Sequence, residues 1–245
     1  MLAITILSYK INIIIPIIIF ILGIFLLRFF VKRQLNMDVP FIKLDLFNNR
    51  LFRLSNIIIY IGFFAWMSGS VLIPLFLQSA IGVSAIITGY IILPATLVKA
   101  IFSPFGSGFY KKFGGHKTSI LGSCLLIISC VPFIFFNVNV NLIYVILLYV
   151  IRMFGVILLL FPMLSYSLKE VDKSDYDQGM SIINSNRQIV AALGTTILLT
   201  FVSAISTHGD VSIEGINLAF FLQLILFVMA LLISIFLLKP EKDQF

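Results

Sequence analysis

The sequence predicts an all-α transmembrane protein with seven spans, arranged as one separate helix followed by a six-helix bundle. Hydrophobic residues make up 60% of the 245 residues and the mean hydropathy is +1.13, far more apolar than a soluble domain. Charged residues, 11% of the chain, cluster between apolar runs of about 18 to 25 residues, the length that crosses ~30 Å of hydrocarbon. These observations indicate a multi-pass membrane protein.

The apolar runs define the seven predicted spans. They are residues 11–30, 55–78, 85–109, 118–136, 142–164, 182–206 and 216–238. Prolines interrupt or end five of the runs, which membrane helices tolerate where neighbouring groups satisfy the freed backbone. The predicted division is a single helix with a basic flank at 1–38, an interfacial linker at 39–54, a six-helix half at 55–240 and a tail at 241–245.

The distribution of positive charge predicts the orientation of the spans. Fourteen of the 17 basic residues lie in or beside the linker, the loops after the third and fifth spans, and the tail, all on one predicted side of the membrane. By the positive-inside rule that side is cytoplasmic, so the N-terminus is expected outside and the C-terminus inside. The opposite loops, 79–84, 137–141 and 207–215, are too short to form an extracellular domain.

Several classes of function find no support in the sequence. The net charge of +7 comes from basic residues in short loops beside spans, where they set topology, so nucleic-acid binding is not predicted. Cys124 and Cys130 lie on different sides of one apolar helix and are expected to pack rather than form a disulfide. His116 and His208 lie in opposite loops, so neither a metal ion nor a cofactor is predicted. No nucleophile and base are arranged as an enzyme requires.

Two cations lie inside predicted spans. Lys99 lies in the third span, toward its cytoplasmic half, and Arg152 lies near the middle of the fifth. An ionisable residue inside a membrane is costly and is a functional hypothesis by default. The alternative is structural: each side chain bonds the backbone carbonyls of a neighbouring helix, or Lys99 extends toward the interface.

A second polar cluster begins the sixth span. Arg187 lies about one helical turn inside the predicted cytoplasmic boundary, where it anchors to headgroups or pairs with an acidic loop. Asn184 and Gln188 are four residues apart and share a helix face that suits hydrogen bonding to a neighbouring helix. Interfacial anchoring is the alternative for all three. In the second span, Tyr60, Phe63, Phe64 and Trp66 are expected to pack or to face lipid.

No predicted span contains a carboxylate. All ten acidic residues fall in loops or the tail. A span carboxylate is what a proton-coupled machine uses to bind and release a proton. If this chain belongs to such a machine, the carboxylates are expected on another segment.

An ordered series of short motifs resembles a known family. The series comprises LDLFNNRLFRLSN (44–56), IPLFLQ (73–78), G-x-S-A-x-x-x-G (82–89), Leu93-Pro94, Ser103-Pro104, K-F-G (112–114), R-x-x-G from Arg152, N-x-x-R-Q (184–188) and Gly194. It resembles the fourteen-span drug:proton antiporters of the major facilitator superfamily, the EmrB/QacA/LmrB-like branch, over about residues 40 to 206.

The resemblance implies a specific place for this chain. The family has two six-helix halves with two extra central helices, and this chain corresponds to the second central helix and the C-terminal half. An N-terminal half is therefore the expected partner, with substrate bound between the halves near mid-membrane. The resemblance implies two sets of candidate residues. The candidates for the substrate and coupling pathway are Lys99, Arg152, Asn184, Arg187 and Gln188. The candidates for the cytoplasmic gating loop are Lys111, Lys112, Gly114 and Lys117.

Three departures from the family pattern bear on function. Lys111 replaces an acidic residue of the gating loop, which weakens the expected charge relay. Ile189 and Val190 stand where relatives often have glycines, and larger residues hold a neighbouring helix farther away. Lys99 occupies a position that is small, apolar or acidic in relatives, and a cation there disfavours cationic drugs if it lines the pathway.

Two functions remain open at this point. The first is the C-terminal half of a proton-coupled multidrug efflux permease in a bacterial plasma membrane, acting on small amphipathic drug-like substrates and incomplete without an N-terminal half. The second is a non-transporting partner or regulatory remnant of such a permease. Expression of the chain alone separates them from an autonomous transporter, which would confer resistance by itself.

Overall fold

The computed structural model describes residues 44–205 and 211–238, together with the isolated helical positions 23, 25, 28 and 29. The described residues form α-helices, short 3-10 and π-helical turns and connecting segments, and contain no strand. The all-α prediction is therefore confirmed for this part of the chain. The first predicted span, the linker before residue 44 and the tail from residue 239 lie outside the continuous described ranges.

Six α-helices carry the described fold. They are α1 (Arg50–Leu75), α2 (Ala85–Phe102), α3 (Gly106–Cys130), α4 (Leu142–Ser167), α5 (Tyr176–Ile205) and α6 (Ile213–Leu232). Single π-helical turns extend α1 over Phe76–Ala80 and α6 over Ile233–Leu237, and short 3-10 helices precede α1, α3 and α5 and follow α3. These helices cover the second to the seventh predicted spans, while the total of seven stays a prediction.

Polar side chains fix where several helices begin. Asn49 accepts a hydrogen bond from the Phe52 N–H at the start of α1, and Asn141 accepts one from Ile143 at the start of α4. Such caps satisfy backbone donors that the first helical turn leaves unpaired. The cap at Asn49 explains why α1 begins at Arg50, five residues before the predicted span.

The chain reverses direction at Gly114. Phe102 contacts Phe154 and Tyr110 contacts Tyr166, with ring centroids 5.1 and 6.3 Å apart, so the chain before Gly114 runs parallel to α4. After Gly114 the order inverts, because Gly115 approaches Tyr166 whereas Gly122 approaches Gly155. Among the described residues, five helical runs are long and apolar enough to span a membrane, and the 51-residue run Ala85–Phe135 is long enough for two crossings.

Gly114 makes this reversal through a backbone conformation that suits only glycine. Its φ is 72° and its ψ is 165°, a region that costs other residues about 1–3 kcal/mol. We expect Gly114→Ala to lower the free energy of unfolding in mixed micelles by that amount. Gly108→Ala is the matched control, since an added Cβ there meets nothing within 4 Å. Equal effects of the two substitutions would contradict this account.

Helix α4 lies at the centre of the described bundle. It packs against α1, α2 and α3, and α6 packs against α1, α3 and α5. The closest approach of α3 and α4 is a glycine pair, because a Cβ on Gly122 would lie 3.0 Å from the Gly155 carbonyl oxygen and a Cβ on Gly155 would lie 2.9 Å from the Gly122 oxygen. Small residues at such crossings allow membrane helices to pack backbone to backbone.

Candidate functional site

Arg152 lies at the centre of the bundle and is fully buried. Its Nε and Nη2 donate to the Ala65 carbonyl of α1 at 3.2 and 2.9 Å. The Ala65 carbonyl oxygen thus accepts two hydrogen bonds from the guanidinium, and both are charge-assisted because the donor group is charged. The backbone contact expected under the structural alternative is therefore present, and a role for Arg152 on the transport pathway stays a prediction.

Two polar side chains also contact Arg152. Its Nη2 also donates to the Gln223 Oε1 of α6 and lies 3.4 Å from the Ser68 Oγ. Ser68 Oγ lies 3.1 Å from the same Gln223 oxygen. The aromatic rings of Phe220 and Phe227 lie 6.0 and 5.3 Å from the guanidinium carbon. This central polar cluster, Arg152 with Ser68, Gln223 and the Ala65 carbonyl, ties α1, α4 and α6 together.

Within the described residues, only neutral groups accept hydrogen bonds from the Arg152 guanidinium. The Nη1 atom is buried and has no hydrogen-bond partner there, and Gln223 Nε2 is likewise unpartnered. A buried charge without a carboxylate carries a large desolvation cost that carbonyl and amide dipoles offset only in part. Arg152 therefore acts as a fixed interior cation between three helices.

Lys99 of α2 lies against a face of α1 that differs from the face in contact with Arg152. Its Nζ is 2.8 Å from the centroid of the Trp66 ring, so the ammonium sits over the indole face. Phe63 packs edge-on against Trp66, with centroids 5.2 Å apart and planes at 79°. A cation over an aromatic face is attracted by the negative potential of the ring. The contact holds the side chain of Lys99 against α1 rather than extended toward an interface.

Arg187 of α5 reaches the same aromatic pair. Its guanidinium carbon lies 5.0 Å from the Phe63 ring, and its buried Nε has no hydrogen-bond partner among the described residues. The positive charges of Arg187 and Lys99 act unfavourably on each other. We call the series Arg187, Phe63, Trp66 and Lys99 the cation–ring row; it joins α5, α1 and α2.

The other predicted residues at the start of α5 have different positions. Asn184 is half-buried and Gln188 is exposed, and the amide that bonds a neighbouring helix is Asn186, whose Nδ2 donates to the Tyr60 hydroxyl at 3.2 Å. A contact with a neighbouring helix is thus made by Asn186, which lies on a different helix face from Asn184 and Gln188. A role for Asn184 or Gln188 in transport stays a prediction.

The predicted gating loop is mostly helical. Lys111 and Lys112 are exposed on the last turn before Gly114, and Lys117 is exposed on the first turn after it. Thr118 secures the turn, because its hydroxyl donates to the carbonyls of Gly114 and Gly115 at 2.8 and 3.0 Å. The three lysines therefore flank a tight reversal at one end of the bundle, and their gating role stays a prediction.

The described acidic residues lie at the ends of helices or between them. They are Asp45, Glu170, Asp172, Asp175, Asp177 and Glu214. Glu170 accepts a hydrogen bond from Asn49 Nδ2 at 3.2 Å, which connects the start of α1 to the segment after α4. No described carboxylate reaches either the central polar cluster or the cation–ring row through a salt bridge or hydrogen bond.

Sequence reasoning missed Ser68 and Gln223 and assigned Phe63 and Trp66 to packing or to a lipid-facing position. Gln223 carried one usable signal, since it is a polar amide in the middle of a strongly apolar run. Its partnership with Arg152 depends on how α4 and α6 meet, which the spacing of residues does not specify. The aromatic residues gave no signal that cations would cover them.

Comparison with known proteins agrees with this architecture. The chain is 28% identical over 228 residues to the lincomycin resistance protein LmrB of Listeria innocua, covering 88% of this chain and 48% of the relative. It is 24% identical over 226 residues to the MFS-type transporter YcnB of Bacillus subtilis, covering 90% and 48%. It is 24% identical over 219 residues to the riboflavin transporter RibZ of Clostridioides difficile, covering 86% and 48%. The chain spans about half the length of the curated relatives it matches.

A family model gives the same assignment. The model of the Major Facilitator Superfamily matches residues 1–195, which include α1 to α4 and much of α5. Relatives that include LmrB confirm the resemblance stated from the motifs. The apolar helices and these relatives indicate a multi-pass membrane protein. The chain belongs to the Major Facilitator Superfamily.

Proposed function

We propose that this chain forms the C-terminal half of a proton-coupled multidrug efflux permease in a bacterial plasma membrane. It works with an N-terminal half, and the substrate, a small amphipathic molecule, passes between the two. The observation that carries the proposal is the cation–ring row, which places charged side chains from α2 and α5 beside α1, with both cations inside predicted spans. Charges inside a span are costly unless they line a pathway or meet a partner.

Unequal burial of the helices supports an opposing wall. In the most apolar 18-residue stretch, 61% of the residues of the α1 run are buried but only 17% of those of the α5 run. Helix α2 also exposes large apolar side chains, including Ile86, Tyr90, Leu93 and Leu97. A lipid bilayer covers one side of such helices, and a second half of the transporter covers the side that bears the cations.

Proton coupling is assigned to the other half. The described helices contain no carboxylate away from their ends, and arginine does not release its proton in proteins. A carboxylate that titrates during the cycle therefore comes from the partner half. The lincomycin resistance named for LmrB and the riboflavin transport named for RibZ indicate the range of cargo among relatives.

Co-expression tests this function. Three strains of a drug-sensitive bacterium are compared. The first expresses this chain alone, and the second expresses it together with the N-terminal half of Listeria LmrB as a separate polypeptide. The third expresses the same LmrB half with the Arg152→Ala variant of this chain. We expect no resistance from the chain alone, and resistance with energy-dependent efflux from the pair. A protonophore should abolish the efflux, and drug susceptibility over a panel that includes lincomycin measures it.

Three results would contradict parts of the proposal. Resistance from the chain alone, lost on Arg152→Ala, would show that the chain is a complete machine. Co-purification of the two halves without any efflux would favour a partner or regulatory role instead. Efflux that persists with a protonophore would exclude proton coupling while leaving transport in place.

A further inference from the structure

We infer that the cation–ring row is a binding site for a small aromatic anion, a planar ring that bears a carboxylate or a sulfonate. The inference rests on the proposed function in one respect, since it treats this face as a wall of the transport pathway. Its basis is the pairing of two cations with two aromatic rings on three different helices.

The charge of the row requires an anion. Lys99 and Arg187 approach the aromatic pair from α2 and α5, and their charges act unfavourably on each other. Each cation has an aromatic face as its contact, which is worth about 0.5–2 kcal/mol and leaves a net positive charge of two on this face. Arg187 Nε, buried and unpartnered, is a donor directed at no described acceptor. An anion between the two cations would relieve their repulsion and accept from this donor.

The apolar surroundings select an anion with an aromatic body. A bare inorganic anion that entered this face would lose its hydration with little return, since isolated ions are strongly disfavoured in apolar media. An aromatic ring offsets that cost by burying apolar surface, worth about 25 cal/mol per Å², against Phe63 and Trp66. The two rings meet edge to face at 79° and Trp66 is half-buried, so a third ring can pack on the part of its surface that Lys99 and Phe63 leave open.

Cationic drugs fit this row poorly. A cationic ligand would bring a third positive charge to a face where the two resident cations already occupy the ring faces. Like charges in a medium of low dielectric constant repel more strongly than in water. A carboxylate of the partner half is the other group able to occupy the space, and the experiment below distinguishes it from a free anion.

Trp66 is the only tryptophan in the chain, so its fluorescence reports directly from the row. The purified chain in phosphatidylcholine nanodiscs, whose lipid carries no net charge, is titrated with three nitroaromatic quenchers of the same ring. They are 4-nitrobenzoate, 4-nitrobenzamide and 4-nitrobenzylammonium. We expect 4-nitrobenzoate to quench Trp66 at about tenfold lower concentration than the amide, and the ammonium to be the weakest.

Matched variants assign the preference to the row. Lys99→Gln and Arg187→Gln should each weaken quenching by 4-nitrobenzoate about tenfold and leave the amide unchanged. Lys112→Gln is the control, because it removes a lysine that also lies beside an aromatic ring, Phe113 at 5.3 Å, but at the exposed reversal. An unchanged Trp66 emission maximum and amide titration show that each variant keeps the fold around the tryptophan.

Four outcomes would overturn the inference. They are equal quenching by the three compounds, a preference for the ammonium, an absence of saturable quenching, and a Lys112→Gln effect as large as that of Lys99→Gln. Adding the N-terminal half gives a further test, since loss of nitrobenzoate binding on assembly would identify a partner carboxylate as the occupant. These titrations need no transport. Charge-selective binding without efflux would therefore refute only the proposed function, and efflux without charge-selective binding would refute only this inference.

Discussion

Arg152→Ala is expected to lower the free energy of unfolding in mixed micelles by about 3 kcal/mol, whereas Arg152→Met is expected to leave it unchanged or raise it. Arg152 is the largest of the fully buried side chains, so truncation to alanine leaves a cavity between α1, α4 and α6. Methionine fills most of that space. It also removes a buried charge whose desolvation is offset, among the described residues, by neutral oxygen atoms and aromatic rings.

The polar neighbours of Arg152 keep partners in the methionine variant. Ser68 Oγ lies 2.6 Å from the Phe64 carbonyl and 3.1 Å from Gln223 Oε1, so a hydroxyl remains beside the amide. The Ala65 carbonyl lies inside α1 and retains its place in the helical hydrogen-bond ladder. Denaturation by sodium dodecyl sulfate, followed by circular dichroism, measures the difference. A loss in Arg152→Met equal to that in Arg152→Ala would show that the charge itself holds the three helices together.

Gly155→Leu is expected to lower the free energy of unfolding by about 3 kcal/mol, at the upper end of ordinary overpacking effects. A Cβ at this position would lie 2.9 Å from the Gly122 carbonyl oxygen and 3.0 Å from Leu126 Cγ. The oxygen belongs to the backbone of α3, so relief requires α3 and α4 to separate. Leucine adds three further carbon atoms to this contact.

Gly89→Leu is the matched control for this substitution. Gly89 lies within α2, and an added Cβ there meets nothing within 4 Å. Both substitutions gain the same helix propensity of about 0.8–1 kcal/mol over glycine, so the difference between them isolates the steric contact. Similar unfolding free energies for the two variants would mean that α3 and α4 are not held at the distance seen in the structure.

The two predictions separate two ways in which this bundle is held together. The Gly122 and Gly155 contact is a matter of shape, since helices in a membrane associate through close packing rather than through the hydrophobic effect. The Arg152 cluster is a matter of polar satisfaction, since the buried guanidinium needs the oxygen atoms of Ala65, Ser68 and Gln223 as partners in an apolar interior. A variant that disturbs the glycine contact should leave the Arg152 cluster intact when the helices still assemble.

Much of the helical architecture was predictable from the sequence. Apolar runs long enough to span a bilayer must satisfy their backbone internally, which leaves the α-helix as the conformation for such runs. The short basic segment between the third and fourth predicted spans correctly located the reversal, now seen at Gly114. The start of α1 was less predictable, since its first turn is polar and its cap at Asn49 lies before the apolar run.

The candidate site was predictable only in part. Lys99, Arg152 and Arg187 were identifiable because cations within or near a span are rare and costly. The sequence did not reveal that Arg152 would meet Gln223, or that Lys99 and Arg187 would lie against one aromatic pair. Those contacts join helices far apart in the chain and depend on the rotation and crossing of each helix.

The sequence by itself determined that this protein crosses a membrane through helices, where most of those helices lie, and that no predicted span supplies a carboxylate. Length, apolar composition and charge position suffice for these conclusions, because the hydrocarbon interior penalises every exception. Only the tertiary structure decided which cation is interior and which lies on the partly exposed face. Arg152 is enclosed by α1, α4 and α6, while Lys99 and Arg187 share the rings of Phe63 and Trp66, because packing of glycine and aromatic surfaces sets how the helices turn toward one another.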